Sequence, residues 1–189
     1  MATAVSICSN ALQELGAAAI ASFDDTNDRA RLCANLYPTA KGEVLRAHAW
    51  RCARRRVQLS PLATVPAYGK AHAFQLPGDW VRTLKVGGFN DYPVEFQHEG
   101  RQLLSDASPL YLRYVSNLDN EGTWDDLLVS VMQMRMKWAL CYPVTKSTSL
   151  RTELREEFRG FLKQAKSIDS MGEPPEMLAE QSPLIAARY

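Results

Sequence analysis

The chain has 189 residues, a formal net charge of +1 and an apolar content of 46%. That length suits one domain with a tail, or a helical domain with a sheet insert, burying roughly 70% of its unfolded surface. Near-neutral charge argues against general electrostatic attachment to nucleic acid, where a strongly basic domain is expected, and it suits a subunit that associates.

MATAVSICSNAL opens the chain without a basic segment ahead of its apolar residues, so no secretory signal is predicted. No apolar run reaches the roughly 18 residues of a membrane span, and the expectation is a soluble chain made in the cytosol, with no membrane partner. Thr3 is placed to cap a first helix whose apolar face is Ala4, Ile7, Cys8, Ala11, Leu12 and Leu15, with Gly16 at its left-handed end. An extended connector follows, and Asp24, Asp25, Thr26 and Asp28 supply acidic and capping groups for a second helix. That helix repeats Ala30, Cys33, Leu36, Tyr37, Ala40, Val44, Leu45 and His48, and Pro38 predicts a kink or break within it.

Beyond Trp50 the period changes to that of strands. AHAFQL and WVRTLKVGGF flank the turn triplet Pro77-Gly78-Asp79, and YPVEFQ and RQLLS flank His98-Glu99-Gly100, a hairpin with glycine at its turn. LYLRYVS alternates Leu110, Leu112 and Tyr114 against Tyr111, Arg113 and Val115, a strand with two usable faces. The expectation is four or five strands in one antiparallel meander. Thr123 and Asp126 then have capping-box spacing before the stripe Trp124, Leu127, Leu128, Val131, Met134, Trp138, Cys141 and Tyr142, which Pro143 stops. A last helix begins near Ser147 or Ser149 and carries Leu150, Leu154, Phe158, Phe161, Leu162, Ala165 and Ile168, with a charged, solvated opposite face. From Met171 the prolines forbid a long helix, and Met177, Leu178, Leu184, Ile185 and Tyr189 are too apolar for an idle linker. Either they pack on their own domain, or they dock on a neighbour by strand addition or pocket filling.

Cys8, Cys33, Cys52 and Cys141 lack metal-ligand spacing and are expected as free, mostly buried thiols. The carboxylate pairs Asp24/Asp25, Asp125/Asp126 and Glu156/Glu157 are explained by capping or solvation. His48, His72 and His98 belong to no catalytic spacing, and His48 is placed to meet a helix dipole. No phosphate-cradling, nucleophile-elbow or zinc-protease motif occurs, so no cofactor, metal or enzymatic activity is expected.

LRAHAWRCARRRVQLSPL poses the sharpest question. Arg51, Arg54, Arg55 and Arg56 follow Trp50, where cations complement the negative end of a helix dipole. On a strand, three consecutive arginines alternate between faces and cannot all enter one groove. Ion pairs across a subunit boundary are therefore favoured over direct DNA reading.

In order and spacing, LGAAAIASFDD, LYPTAKGEVLRAHAW, CARRRVQL, LPGDWVRTLKV, RQLLSD and LYLRYVSN resemble the tail tubular protein A family of short-tailed bacteriophages, the head–tail adaptor or gatekeeper proteins. The resemblance covers roughly residues 3 to 168, although HAW stands where HPW is common in that family and Cys52 also departs from its pattern. It implies a virion structural protein made in the host cytoplasm and placed at the head–tail junction. Such proteins form a ring, typically of twelve subunits, that binds the portal protein above and the tail nozzle protein below, and genomic DNA passes through the channel without sequence-specific binding. The expected fold is α+β, an antiparallel helical bundle (1–52 and 123–170) with an inserted antiparallel β-sheet domain (53–122) and an extended C-terminal docking tail (171–189). The expected inter-subunit or partner contacts are Arg51, Arg54, Arg55, Arg56, Met177, Leu178, Leu184, Ile185 and Tyr189. Rival readings are a nucleic-acid-binding module built on Trp50–Arg56 and, more remotely, a carboxylate-based cell-wall hydrolase.

Overall fold

A computed structural model describes residues 1–88 and 92–172. It is a mixed α+β fold of four helices and two small antiparallel sheets. The helices are α1 (Ala4–Glu14), α2 (Asp28–Ala47), α3 (Asp126–Thr145) and α4 (Thr148–Met171), and α3 packs against the other three. The strands are β1 (Arg54–Leu59), β2 (His72–Gln75), β3 (Trp80–Gly87), β4 (Phe96–Glu99), β5 (Gln102–Ser105) and β6 (Leu110–Ser116). No helix among the described residues is long and apolar enough to cross a membrane.

Local chemistry accounts for the helix ends. Thr3 and Ser6 form a reciprocal capping box at α1. At its other end Gly16, at φ +76°, lets its own N–H reach the Gln13 carbonyl at 2.9 Å while Ala17 N–H reaches Leu12, also at 2.9 Å. The cap of α2 is Asn27, whose side chain accepts from Ala30 N–H at 2.8 Å, whereas Asp25 holds the preceding loop by accepting from Ala21 and Ser22. Asp125, not Thr123, caps α3, and Ser147 caps α4 as expected.

Neither internal proline breaks its helix. Pro38 is exposed and α2 runs through it, because the hydrogen bond it removes lies on the solvent side of the helix. Pro143 is likewise carried within α3, which ends two residues later, where Lys146 adopts φ 59°.

The single meander is replaced by two sheets of three strands, ordered β1-β6-β3 and β2-β5-β4. One core joins the helices to a face of the first sheet through Val81 and Val115. A second core lies between the two sheets, built from Leu59, Phe74, Leu76, Val86, Leu103, Leu110, Leu112 and Tyr114. The β6 alternation is thus used on both sides, since Leu110, Leu112 and Tyr114 face the second sheet and Val115 faces the helices. The α3 stripe differs from expectation. Met132, Met136 and Leu140 are fully buried while Tyr142 is exposed, because a helix touching three others buries more than one stripe. Each such buried side chain contributes about 1.5–3 kcal/mol of hydrophobic stabilisation. On α4, Ile168 is exposed and its neighbour Asp169 is buried.

Candidate functional site: the basic corner and the cationic sheet face

The segment after α2 turns through a short 3-10 turn, Arg51–Ala53, and enters β1. Trp50 anchors it. The indole is 1% exposed, donates from Nε1 to the Val44 carbonyl at 2.9 Å and stands edge-on to His48 at 4.9 Å. A ring so enclosed offers no face on which a base could stack, and this removes Trp50 from the nucleic-acid reading.

The four arginines go to four environments. Arg51 meets buried Asp169 through its backbone N–H at 3.3 Å and its Nε at 3.4 Å. Asp169 also lies 2.9 Å from His48 Nε2, so one carboxylate in the last turn of α4 holds both the C-cap of α2 and the turn that follows it. The His48 side chain therefore works through a carboxylate distant in sequence, beyond its place at the helix end. Arg54 donates from Nε to the Ala49 carbonyl at 2.7 Å. Arg55 crosses to Asp79 at 2.9 Å, and the same carboxylate accepts from the Tyr114 hydroxyl at 3.0 Å. Burial and that bond to Asp79 push the Tyr114 hydroxyl above its ordinary pKa. Arg56 is exposed.

Chain exit and basic segment share this corner. Gly172, the first residue past α4, sits so close to Arg51 that a Cβ on it would fall 1.8 Å from Nη1. Of the expected contact residues, Met177, Leu178, Leu184, Ile185 and Tyr189 lie outside the described residues.

Strand alternation separates Arg55 from Arg54 and Arg56, as the sequence predicts, but cross-strand register gathers a larger set. Arg56 stands opposite Arg113, and Arg113 opposite Lys85. Two residues along, Arg54 stands opposite Val115, and Val115 opposite Arg82. Directly opposed residues share a face, so Arg54, Arg56, Arg82, Lys85 and Arg113 project from the side of the first sheet that packs, at Val115, on the helices. The Arg82 Nε is buried without a hydrogen-bond partner among the described residues. Arg82, Lys85 and Arg113 were missed in the sequence because they are isolated there, and only strand pairing makes them neighbours.

β1 is also an outer strand of its sheet. Charged side chains on an edge strand oppose pairing with another chain, so Arg54, Arg55 and Arg56 guard this edge whatever else they bind.

A second polar cluster ties α2 to the segment before α3. Tyr37 OH donates to Glu121 at 3.0 Å, Lys41 Nζ lies 3.4 Å from the same oxygen, and Lys41 stands over the Trp124 ring at 5.5 Å. Burial, with the Glu121 charge, pushes the Tyr37 hydroxyl above its ordinary pKa. Tyr37, Lys41 and Glu121 satisfy one another, while Trp124 Nε1 is buried without a hydrogen-bond partner among the described residues, and the cluster reads as a structural tie. Among the described residues no three His, Cys, Asp or Glu side chains gather as a metal site requires, and the four cysteines are free, with only Cys52 not fully buried.

No protein-family model matches the chain, and no curated protein matches it.

Proposed function

We propose that this protein is a structural subunit of a phage virion, a head-to-tail adaptor. In this reading its helices form an antiparallel bundle, the two sheets form the inserted β domain, and residues 171–189 are a docking tail. Copies close into a ring between portal and nozzle, and DNA passes through the central channel. Ring closure needs a heterologous interface, in which one surface of a subunit meets a different surface of the next.

The observation that carries this reading is the convergence at Arg51. The chain leaves α4 at Gly172 against the Arg51 guanidinium, so the two segments with partner-directed chemistry begin from one corner. Together with the motif order of the resemblance, this favours a protein that works through adhesive surfaces. Native mass spectrometry of the full chain, alone and mixed with purified cognate portal, tests it. A ring on the portal is expected, and failure to associate under both conditions overturns the proposal.

The five cations on one sheet face favour a second reading, direct nucleic-acid binding. It requires DNA affinity that falls steeply with salt, and a log–log slope smaller by about one for each phosphate that Arg56→Gln or Lys85→Gln leaves without its cation.

A further inference from the structure

Among the described residues three of the four outer strands have their edges occupied or guarded, and β4 does not. β1 carries three arginines. β2 gives its outward-facing Ala73 carbonyl to Leu62 N–H at 2.8 Å, and β3 is bridged at Gly87 by Pro93. β4 consists of Phe96, Gln97, His98 and Glu99, all exposed, with no lysine, proline or bulge.

Register shows which backbone groups this edge offers. The two-residue turn Gly100-Arg101 makes Glu99–Gln102 the closing hydrogen-bonded pair, and Gln97–Leu104 the next. Leu76 N–H bonds the Arg101 carbonyl at 3.0 Å, which confirms that residues 101 and 103 turn their backbone toward β2. Phe96 and His98 are therefore the residues whose N–H and C=O groups point away from β5. Among the described residues no backbone hydrogen bond uses them outside their own sheet.

The side chains flanking this edge are chemically distinct on its two faces. On the inner side His98 contacts Trp80 at 5.6 Å and Phe96 at 5.8 Å, an aromatic row at the open margin of the second core. On the outer side a groove of about 290 Å³ is lined by Val65, Tyr68, Gln97, Glu99, Gln102 and Leu104. Val65 and Tyr68 are 65% and 90% exposed.

We infer that the C-terminal segment Leu184–Tyr189 of a second copy of this chain adds to β4 as a fourth strand of that sheet. The inference rests on the adaptor reading and names one of its subunit contacts. LIAARY has the alternation that the edge requires. Ile185, Ala187 and Tyr189 would cover the aromatic row. With the segment antiparallel and Ile185 opposite His98, Ile185 would turn its N–H toward β4, Leu184 would enter the groove beside Glu99, and Arg188 would stand opposite the exposed Glu95, a cation facing a carboxylate. The eleven residues 173–183 give the segment a reach of up to roughly 37 Å from the end of α4 when extended. A tail of one subunit on the sheet of the next is a heterologous contact of the kind a ring needs.

Peptide-resolved hydrogen exchange on the full-length protein tests this, with the wild type followed across concentrations that span its self-association. The fragment containing Phe96–Glu99 is expected to exchange at least about tenfold more slowly in the associated protein than in the dilute one. Ile185→Pro should abolish that protection. So should His98→Pro, which removes an outward N–H and leaves the β5 ladder intact. If His98→Pro disturbs the hairpin, Ile185→Pro alone decides, because it lies outside the sheet. Unchanged exchange on association, or no association, overturns the inference, as does protection that survives Ile185→Pro. Protection independent of concentration places the segment on its own sheet and overturns the assignment to a second copy. Portal binding is measured in parallel by light scattering. Binding retained without edge protection sinks this contact alone, whereas failure of the wild type to bind sinks the adaptor reading.

Discussion

His48 and Asp169 lie 121 residues apart and meet at 2.9 Å, joining the end of α2 to the last turn of α4. An acidic residue at a helix C-terminus opposes the macrodipole, and Asp169 is 4% exposed, so its carboxylate depends on the donors around it. His48 supplies one and Arg51 the others. The position from which the chain leaves α4 is set by this contact.

Asp169→Ala leaves the Arg51 and His48 donors without their acceptor and is expected to cost about 1–3 kcal/mol, with Asp169→Asn costing less because it retains an acceptor. Urea denaturation followed by circular dichroism measures both. Equal stability of wild type and Asp169→Ala would contradict the role given to this carboxylate.

Glu14 and Lys137 pair at 2.9 Å between α1 and α3. The hydrogen bond from Lys137, aided by one from Gln133 and opposed by desolvation, holds Glu14 below its ordinary value of 4.5. The folded state therefore binds this proton less readily than the unfolded state. Its stabilisation is present above the unfolded value and is lost as pH falls through the lower folded value. The pair is partly solvated, so the effect is expected at under about 1 kcal/mol. Glu14→Gln should remove the corresponding part of the acid-limb slope in thermal melts between pH 6 and pH 3, and an unchanged slope would count against it.

Arg55 and Arg56 are exposed on the outer strand β1. If their charge keeps this edge from pairing with other chains, Arg55→Thr/Arg56→Thr should aggregate faster, read as static light scattering during incubation near the melting temperature. The same rate as wild type would leave the arginines without a guarding role.

The Cys8 thiol is raised above its ordinary pKa by the neighbouring Cys33 thiol and then by burial, and Cys33 and Cys141 are equally enclosed. Thiolate is the reactive form. The hydrogen bond with Cys8 lowers the Cys33 thiol, but Cys33 is fully buried, so access decides and alkylation of the native protein should reach the partly exposed Cys52 first and the other three only on unfolding. Desolvation raises Cys52 as well, and its labelling should be slow. Mass spectrometry of time-resolved iodoacetamide labelling reads the order, and early labelling of Cys8 would contradict the packing.

The candidate site divides along the same line. Alternation along β1 separated Arg55 from its neighbours in the bare sequence. The gathering of Arg54 and Arg56 with Arg82, Lys85 and Arg113 required the register of β6 between β1 and β3. Trp50 beside a run of arginines has the composition of a nucleic-acid grip, yet its indole is spent on the Val44 carbonyl inside the core.

Features set within three or four residues were legible without coordinates: the Thr3 and Ser147 caps, the Gly16 stop, the Gly100 hairpin and the two-sided alternation of β6. They depend on local hydrogen bonds and side-chain periodicity, which the order of residues specifies directly. Features that depend on which distant surfaces meet were not legible. The strands divided into two sheets because β6 returns between β1 and β3. Three helices enclose α3, so Met132, Met136 and Leu140 are buried where a single stripe would leave them partly out. Asp169 is buried beside exposed Ile168 because His48 and Arg51 wait there. The linear pattern carries no record of a partner 121 residues away, and the chain must fold before that attraction exists.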